Sequence, residues 1–197
     1  MNFNDDFLLW LARMIGIVGL GLLIISGVGG VLLASRLAQK IKVKWLRGKT
    51  FKYHRLISII GSALFVLHPI PMLFANQTTE MSWWHIFVPF SAPKQTLLIG
   101  IGSVAAIILL VVTVSSIFIK YMNRKVWRAI HYGTYAVLFL GLVHGLFISG
   151  EFKPGEIFEF EEPEKILLLF MTAAALALPI WRYVIIRRNK SLAPKTI

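Results

Sequence analysis

The chain contains five histidines and no cysteine. Four of the histidines form two pairs, His54 with His68 and His131 with His144, at or near the ends of two long apolar segments. Ionisable side chains are costly at membrane depth and usually mark a functional site. A hydrogen bond to a neighbouring helix would explain one such histidine, but it does not explain two matched pairs. We therefore expect the chemistry of the chain at these four imidazoles.

The spacing within each pair predicts sites at two depths. His54 and His68 are 14 residues apart, which on an α-helix is about 21 Å of rise with side chains within about 40° of each other. His131 and His144 are 13 residues apart, or about 19.5 Å, but they point about 140° apart on an unbroken helix. Either this helix changes its winding at one of its glycines, or its two histidines work on different sides of the helix axis.

Pairs of imidazoles without other ligands favour one kind of cofactor. A catalytic zinc site adds a third protein ligand, and calcium and magnesium require oxygen ligands. The absence of cysteine excludes thiolate sites and iron–sulfur clusters. Haem iron takes its equatorial ligands from the porphyrin and leaves two axial positions for the protein. Two haems at two depths would form an electron path across a bilayer.

Long apolar segments must position these histidines. A bilayer core of about 30 Å requires about 20 apolar residues in a helix, and 57% of this chain is hydrophobic while only 15% is charged. We expect an all-α, polytopic transmembrane helix bundle that forms a single domain over residues 1–197. The predicted spans are residues 7–34, 56–75, 97–119, 129–148 and 166–186.

The charges predict the orientation of the bundle. Of the 21 Lys and Arg residues, 17 lie between the first two spans, between the third and fourth, or from Arg182 near the end of the fifth span onward. All nine acidic residues lie on the opposite side. The positive-inside rule then places the N-terminus outside and the C-terminus in the cytoplasm. The formal charge of +12 therefore indicates orientation and contact with anionic lipids, and no nucleic acid partner is expected.

Five further residues have predicted roles. Arg55, Arg124 and Arg128 lie near the inner ends of the histidine spans, where they are expected to pair with the propionates of a bound haem. Arg13 is expected to extend to the membrane interface. His85 lies next to two tryptophans in an outer loop and is expected at the interface, not as an axial ligand.

The sequences around the histidines resemble a known family. The stretch KYHR at 52–55, with thirteen residues between its His54 and the later His68-Pro69, resembles the third helix of the ferric reductase-like transmembrane domain. The stretch WRAIHY at 127–132, followed by His144-Gly145, resembles the fifth helix, and Val88-Pro89-Phe90 is similar to bacterial members. The resemblance covers roughly residues 20–150.

The resemblance implies a function and a cofactor set. The family includes the membrane part of NADPH oxidases, eukaryotic ferric reductases and the haem-binding subunit of the periplasmic methionine sulfoxide reductase system. It implies two haem b groups, one held by His54 and His131 and the other by His68 and His144. It also implies a multi-pass protein of the bacterial inner (plasma) membrane.

The chain departs from fuller members of the family in two respects. Those members have six helices, whereas five are found here, so the expected number is five or six. The oxidases and eukaryotic ferric reductases continue into a flavin and nicotinamide module, but only about ten residues follow the last predicted span. Electrons are therefore expected from a separate flavoprotein, from a bound flavin (FMN or FAD), or from quinol.

Three functions remain open at this stage. The first is a b-type cytochrome that moves electrons to an extracytoplasmic acceptor or a partner reductase. The second is an enzyme in its own right, which reduces ferric chelates or oxygen at the outer haem. The third is a haem-free transporter or structural protein with histidines as a proton path. Proton relays usually combine histidine with acids, and no acid occurs inside any predicted span.

Overall fold

The chain is mostly helical in the residues that the computed structural model describes, which are 3–34, 44–148 and 163–191. No strand occurs within these ranges. A short 3₁₀ turn, Ile119–Tyr121, follows the sixth helix. The helices are α1 Phe3–Ala34, α2 Lys44–Leu67, α3 Ile70–Phe74, α4 Asn76–Thr79, α5 Trp83–Phe87, α6 Thr96–Ile117, α7 Arg124–His131, α8 Gly133–Phe147 and α9 Pro163–Ser191.

Within the described ranges, five segments are long and apolar enough to cross a membrane. Two of them combine consecutive helices, since α2 continues into α3 and α7 continues into α8. The predicted all-α fold with five spans is therefore confirmed. The five segments are Asn4–Ala34, Lys49–Phe74, Thr96–Ile117, Arg124–Phe147 and Glu164–Ile185.

Both composite spans are interrupted at a histidine. Helix α2 ends at Leu67, and His68 lies in the turn before Pro69, whose ring cannot continue the hydrogen-bonded ladder. Helix α7 ends at His131, and Tyr132 separates it from the start of α8. The angle of about 140° expected for an unbroken helix therefore does not apply to the second pair.

The core lies between the two histidine levels. Helix α1 packs along α2 and also contacts α9, while α6 packs along α8. Large apolar side chains such as Leu110 and Phe170 point outward, as expected for surfaces that face lipid. The buried residues of this core are Leu20, Ile24, Val31, Phe65, Ala105, Leu109, Val137, Leu138, Leu142, Leu146, Leu168, Ala175 and Leu178.

A polar network ties the segment between α3 and α6 to the start of α1. The buried carboxylate of Asp5 accepts hydrogen bonds from the backbone N–H of Thr78 at 3.1 Å and from its hydroxyl at 2.8 Å. Lys94 donates to the Thr78 carbonyl at 2.8 Å and pairs with Glu80 at 2.9 Å. These bonds hold α3–α5 over one end of the bundle.

The α1–α2 crossing depends on two glycines that face each other. A Cβ atom on Gly19 would lie 2.9 Å from the backbone nitrogen of Phe65 and 3.3 Å from the carbonyl oxygen of Gly61. A Cβ atom on Gly61 would lie 3.1 Å from the carbonyl oxygen of Gly19. Small residues allow membrane helices to approach this closely. Because the nearest atoms belong to the backbone, the crossing cannot adapt by moving a side chain.

Gly19→Ala is expected to destabilise the protein by about 1–3 kcal/mol, because the added methyl group overpacks the crossing. Gly21→Ala is the matched control, since its Cβ would meet only Met171 Cε at 3.6 Å, and alanine is about 1 kcal/mol better than glycine in a helix. Thermal unfolding in detergent measures both variants. Equal midpoints for the two would contradict the close crossing.

Candidate functional site

The structure brings the four histidines of the spans together as two pairs. The ring centres of His54 and His131 lie 6.3 Å apart, with the ring planes at 77°. The ring centres of His68 and His144 lie 6.1 Å apart, with the planes at 69°. Each pair joins the α2 segment to the α7–α8 segment. The two sites are thus built from the same two spans at two levels.

Hydrogen bonds at Nδ1 orient the ring of His54. Nδ1 lies 2.9 Å from the backbone oxygen of Ser26 and 2.9 Å from its hydroxyl oxygen. The Ser26 and Ser58 hydroxyls are 2.5 Å apart, and Ser58 donates to the carbonyl of His54 at 2.7 Å. A carbonyl oxygen only accepts, so Nδ1 of His54 carries the proton. Nε2 then keeps its lone pair for a metal ion.

The pair of His68 and His144 is oriented in the same way; after the predicted orientation it is called the outer pair, and His54 with His131 the inner pair. Nδ1 of His68 donates to the carbonyl of Phe65 at 2.5 Å. In a regular helix this carbonyl would accept from the residue four positions later, which here is Pro69 and has no N–H. The proline therefore leaves the Phe65 carbonyl available to the histidine. Nδ1 of His144 donates to the carbonyl of Leu98 at 2.7 Å, so both outer rings keep the Nε2 lone pair.

His131 is held by an aromatic side chain and a hydroxyl. Its ring stacks on that of Trp127, with centres 4.9 Å apart and planes at 23°. Its Nδ1 lies 3.5 Å from the hydroxyl of Ser116. That hydroxyl donates to the Val112 carbonyl at 2.7 Å and accepts from Trp127 Nε1 at 3.4 Å. The single hydroxyl proton is used at Val112, so Ser116 acts as an acceptor for His131.

Glycines let neighbouring helices approach the rings. A Cβ atom on Gly102 of α6 would lie 2.8 Å from Nδ1 of His144, closer than real Cβ contacts allow. A Cβ atom on Gly30 of α1 would lie 3.4 Å from Cε1 of His54. The crowding of glycines in α1 and α6 thus has a local cause, because the imidazoles pack directly on the backbone of these helices.

A cavity of about 820 Å³, including its open mouth, lies beside the outer pair. Its walls are mainly apolar, and three charged residues also border it: Arg13 of α1 and Glu164 and Lys165 of α9. A second cavity lies beside His54. Among the residues lining the first cavity are Gly16, Leu20, Phe65, Met72 and Leu168, together with His68 and His144.

These two sites fit haem. A metal–imidazole nitrogen bond measures about 2.0–2.1 Å, so two rings that ligate one ion from opposite sides have centres about 6–6.5 Å apart. The separations of 6.3 and 6.1 Å match this value. No group of three or more His, Asp or Glu side chains gathers within the described residues. A metal ion held by either pair would therefore take its remaining ligands from a cofactor, as iron does in a porphyrin.

The three arginines predicted to pair with propionates lie at exposed positions near the inner pair. Arg55 lies on α2, and Arg124 and Arg128 lie on α7. Nε of Arg128 donates to the carbonyl of Arg124 at 3.3 Å. Their role toward a cofactor carboxylate stays a prediction.

Two residues have surroundings that the sequence did not indicate. Arg13, expected at the membrane interface, borders the cavity beside His68 and His144. Arg13 lies three residues before Gly16, and residues three apart share a helix face. In the structure Gly16 packs against His68, so Arg13 lies on the face of α1 that is turned toward this histidine. His85 is buried, accepts the N–H of Ser82 at 2.9 Å, and so caps α5.

Comparison with known proteins agrees with the geometry of the site. No curated protein and no solved structure gave a match to the chain. The model of the family described as "Ferric reductase like transmembrane component" matches residues 14–142. This range holds His54, His68 and His131, ends two residues before His144, and covers most of the chain, which confirms the resemblance seen around the histidines. The chain belongs to the ferric reductase-like transmembrane component family.

Proposed function

We propose that this protein is a membrane b-type cytochrome that carries electrons across the bilayer through two haems. His54 and His131 ligate the inner haem, and His68 and His144 ligate the outer one. The observation that carries the proposal is the pair of ring separations, 6.3 and 6.1 Å, with every Nδ1 engaged elsewhere. Domains of this family are generally haem-binding, which supports the same assignment.

Two histidine ligands on each iron favour electron transfer over the binding of a substrate at the iron. Haem supplies a one-electron redox centre at each level. Two protein ligands on one iron leave no open position for a substrate, and the tuning of such a centre falls to its axial ligands and their hydrogen bonds. The Ser26 and Phe65 carbonyls hold the imidazoles on the α2 segment in fixed orientations. The apolar residues between the levels exclude water.

The donor and acceptor lie outside the chain. Members of this family work with separate electron donors, and we propose a flavoprotein, a bound FMN or FAD, or quinol in this role. The acceptor is an extracytoplasmic partner reductase or a ferric species. With the N-terminus outside and the C-terminus in the cytoplasm of a bacterial cell, electrons enter at His54 and His131 and leave at His68 and His144.

A second candidate function is favoured by the open cavity beside the outer pair. There the chain would itself reduce ferric chelates or oxygen at the edge of the outer haem. Proteoliposomes with a reductant trapped inside separate the two functions. Reduction of external ferric chelate without added protein supports this enzyme activity, and its absence supports the relay.

The purified wild-type protein is expected to contain about two haem b per chain, measured by haem extraction against protein concentration. His68→Ala and His131→Ala should each reduce this ratio to about one, because each removes an axial ligand from a different site. His85→Asn is the matched control, since His85 is a buried histidine outside the pairs and Asn offers a similar acceptor. A wild-type protein without haem, or equal loss in the His85 variant, would refute the assignment.

Ser26→Ala is expected to raise the reduction potential of the inner haem by up to about 40 mV and leave the outer haem unchanged. The variant removes one acceptor from Nδ1 of His54, which makes the imidazole a weaker donor to ferric iron. A lost hydrogen bond of about 1 kcal/mol corresponds to this shift for one electron.

Redox titration of the two haems measures the effect of Ser26→Ala. Ser26→Thr should restore the wild-type potential, because it returns the hydroxyl. Ser103→Ala is the control, since the Ser103 hydroxyl donates to the Ile99 carbonyl at 3.1 Å. Equal shifts at both haems, or the same shift in the Ser103 variant, would contradict the role of Ser26.

The proposed orientation is tested with single cysteines, for which this cysteine-free chain provides a clean background. Glu80→Cys, in the segment before α5, should react with a membrane-impermeant maleimide in intact cells. Lys125→Cys, on the exposed surface of α7, should react only after the cells are opened. The reverse pattern would show the opposite orientation, with electron entry at the other haem.

A further inference from the structure

Arg182 of α9 has an unusual environment for a residue in a membrane-spanning segment. Its Nη2 donates to the Tyr132 hydroxyl at 2.8 Å, and its Cζ lies 4.7 Å from the centre of the Tyr132 ring. Its Nε is buried and has no hydrogen-bond partner among the residues that the structure describes. A buried N–H without an acceptor is costly, so this atom indicates a ligand supplied from outside the chain.

The packing of α9 places Arg182 at the inner histidine level. Leu178, one helical turn earlier, packs so tightly on α1 that a Cβ on Gly27 would lie 2.9 Å from Leu178 Cδ1. Gly27 follows Ser26, the residue that bonds His54. Residues four apart share a helix face. Arg182 therefore lies on the face of α9 that carries Leu178, one turn nearer the cytoplasmic end.

Arg182 also contacts the residue next to His131, the second proposed ligand of the inner haem. Tyr132, its hydrogen-bond partner, directly follows His131 in the chain. The guanidinium therefore lies against the residue that joins His131 to the start of α8.

The chain offers no carboxylate to Arg182 within the described residues. Asp5, Asp6 and Glu80 belong to the opposite end of the bundle. Glu164 lies in the first turn of α9, 18 residues before Arg182, which is about 27 Å along the helix. The partners of Arg182 are the hydroxyl groups of Tyr132 and Tyr135, and an anion at Nε would complete the pairing that a charge in a spanning segment usually has.

We propose that Arg182, assisted by the Tyr132 hydroxyl, binds a propionate carboxylate of the haem held by His54 and His131. A guanidinium with a free Nε–H is suited to carboxylate, which it binds through two parallel hydrogen bonds. A lipid phosphate has similar acceptor chemistry, and the test below separates the two. This inference rests on the proposed haem function and adds α9, which lies beyond the matched residues 14–142, to the inner site.

The test reconstitutes haem-free protein with iron protoporphyrin IX or with its dimethyl ester, in which the carboxylate charges are removed. Arg182→Leu should weaken binding of the acid form at the inner site about 10-fold or more, the worth of a charge-assisted hydrogen bond. The same variant should not weaken binding of the ester. Haem release rates, resolved by the spectra of the two sites, provide the readout.

Matched variants identify the interaction. Arg187→Leu removes an exposed arginine from the same helix, whose Nη1 donates to the Tyr183 hydroxyl at 3.4 Å, and should leave both porphyrins unaffected. Tyr132→Phe should weaken binding of the acid form by a smaller factor than Arg182→Leu.

Three outcomes would overturn the proposal. Equal weakening of acid and ester would mean that Arg182 supports the fold only. Unchanged binding of both would remove Arg182 from the site, and loss of anionic lipid binding without a haem effect would assign it to a headgroup. A wild-type protein that binds neither porphyrin is a different result, because it rejects the proposed function itself.

Discussion

The proposed haem sites depend on one constraint: each imidazole must use its Nδ1–H for a hydrogen bond inside the protein so that Nε2 would remain for iron. Backbone carbonyls of Ser26, Phe65 and Leu98 meet this requirement for three of the rings. Pro69 contributes by removing the N–H that would otherwise occupy the Phe65 carbonyl. In a bilayer core every backbone N–H and C=O group must find its hydrogen-bond partner within the protein. The helix geometry around each of these histidines therefore decides which carbonyl accepts its Nδ1–H. The ring separations near 6 Å follow from this arrangement.

Much of the fold and part of the site could be predicted from the sequence. Apolar segment lengths predict the five spans, because a bilayer of fixed thickness sets them. The histidine spacings predict two levels. A change of winding at a glycine was one of two alternatives for the span of His131 and His144, and the break at Tyr132, next to Gly133, is of that kind. Ser26 and Arg182 were missed as site residues, because their relation to the histidines depends on how α1 and α9 pack on the two histidine spans, which a single sequence does not encode locally.

The last span carries more of the site than the family match indicates. Lys165 and Leu168 border the outer cavity near the start of α9, and Arg182 contacts Tyr132, the residue after His131, near its other end. One helix therefore passes both levels, and the buried residues Ala175 and Leu178 fix its position against the core between them. Changes in this helix are expected to alter both haems, although it supplies no axial ligand.

Electron paramagnetic resonance of the oxidised, haem-loaded protein tests the paired imidazole ligands most directly. The ring planes stand at 77° and 69°, so each imidazole of a pair donates π density to a different iron d orbital and the two orbitals stay nearly equal in energy. Two strongly anisotropic low-spin ferric signals are therefore expected, one from each level. A high-spin signal from either haem, which reports a missing axial ligand, or a spectrum that integrates to one haem would contradict the paired ligation.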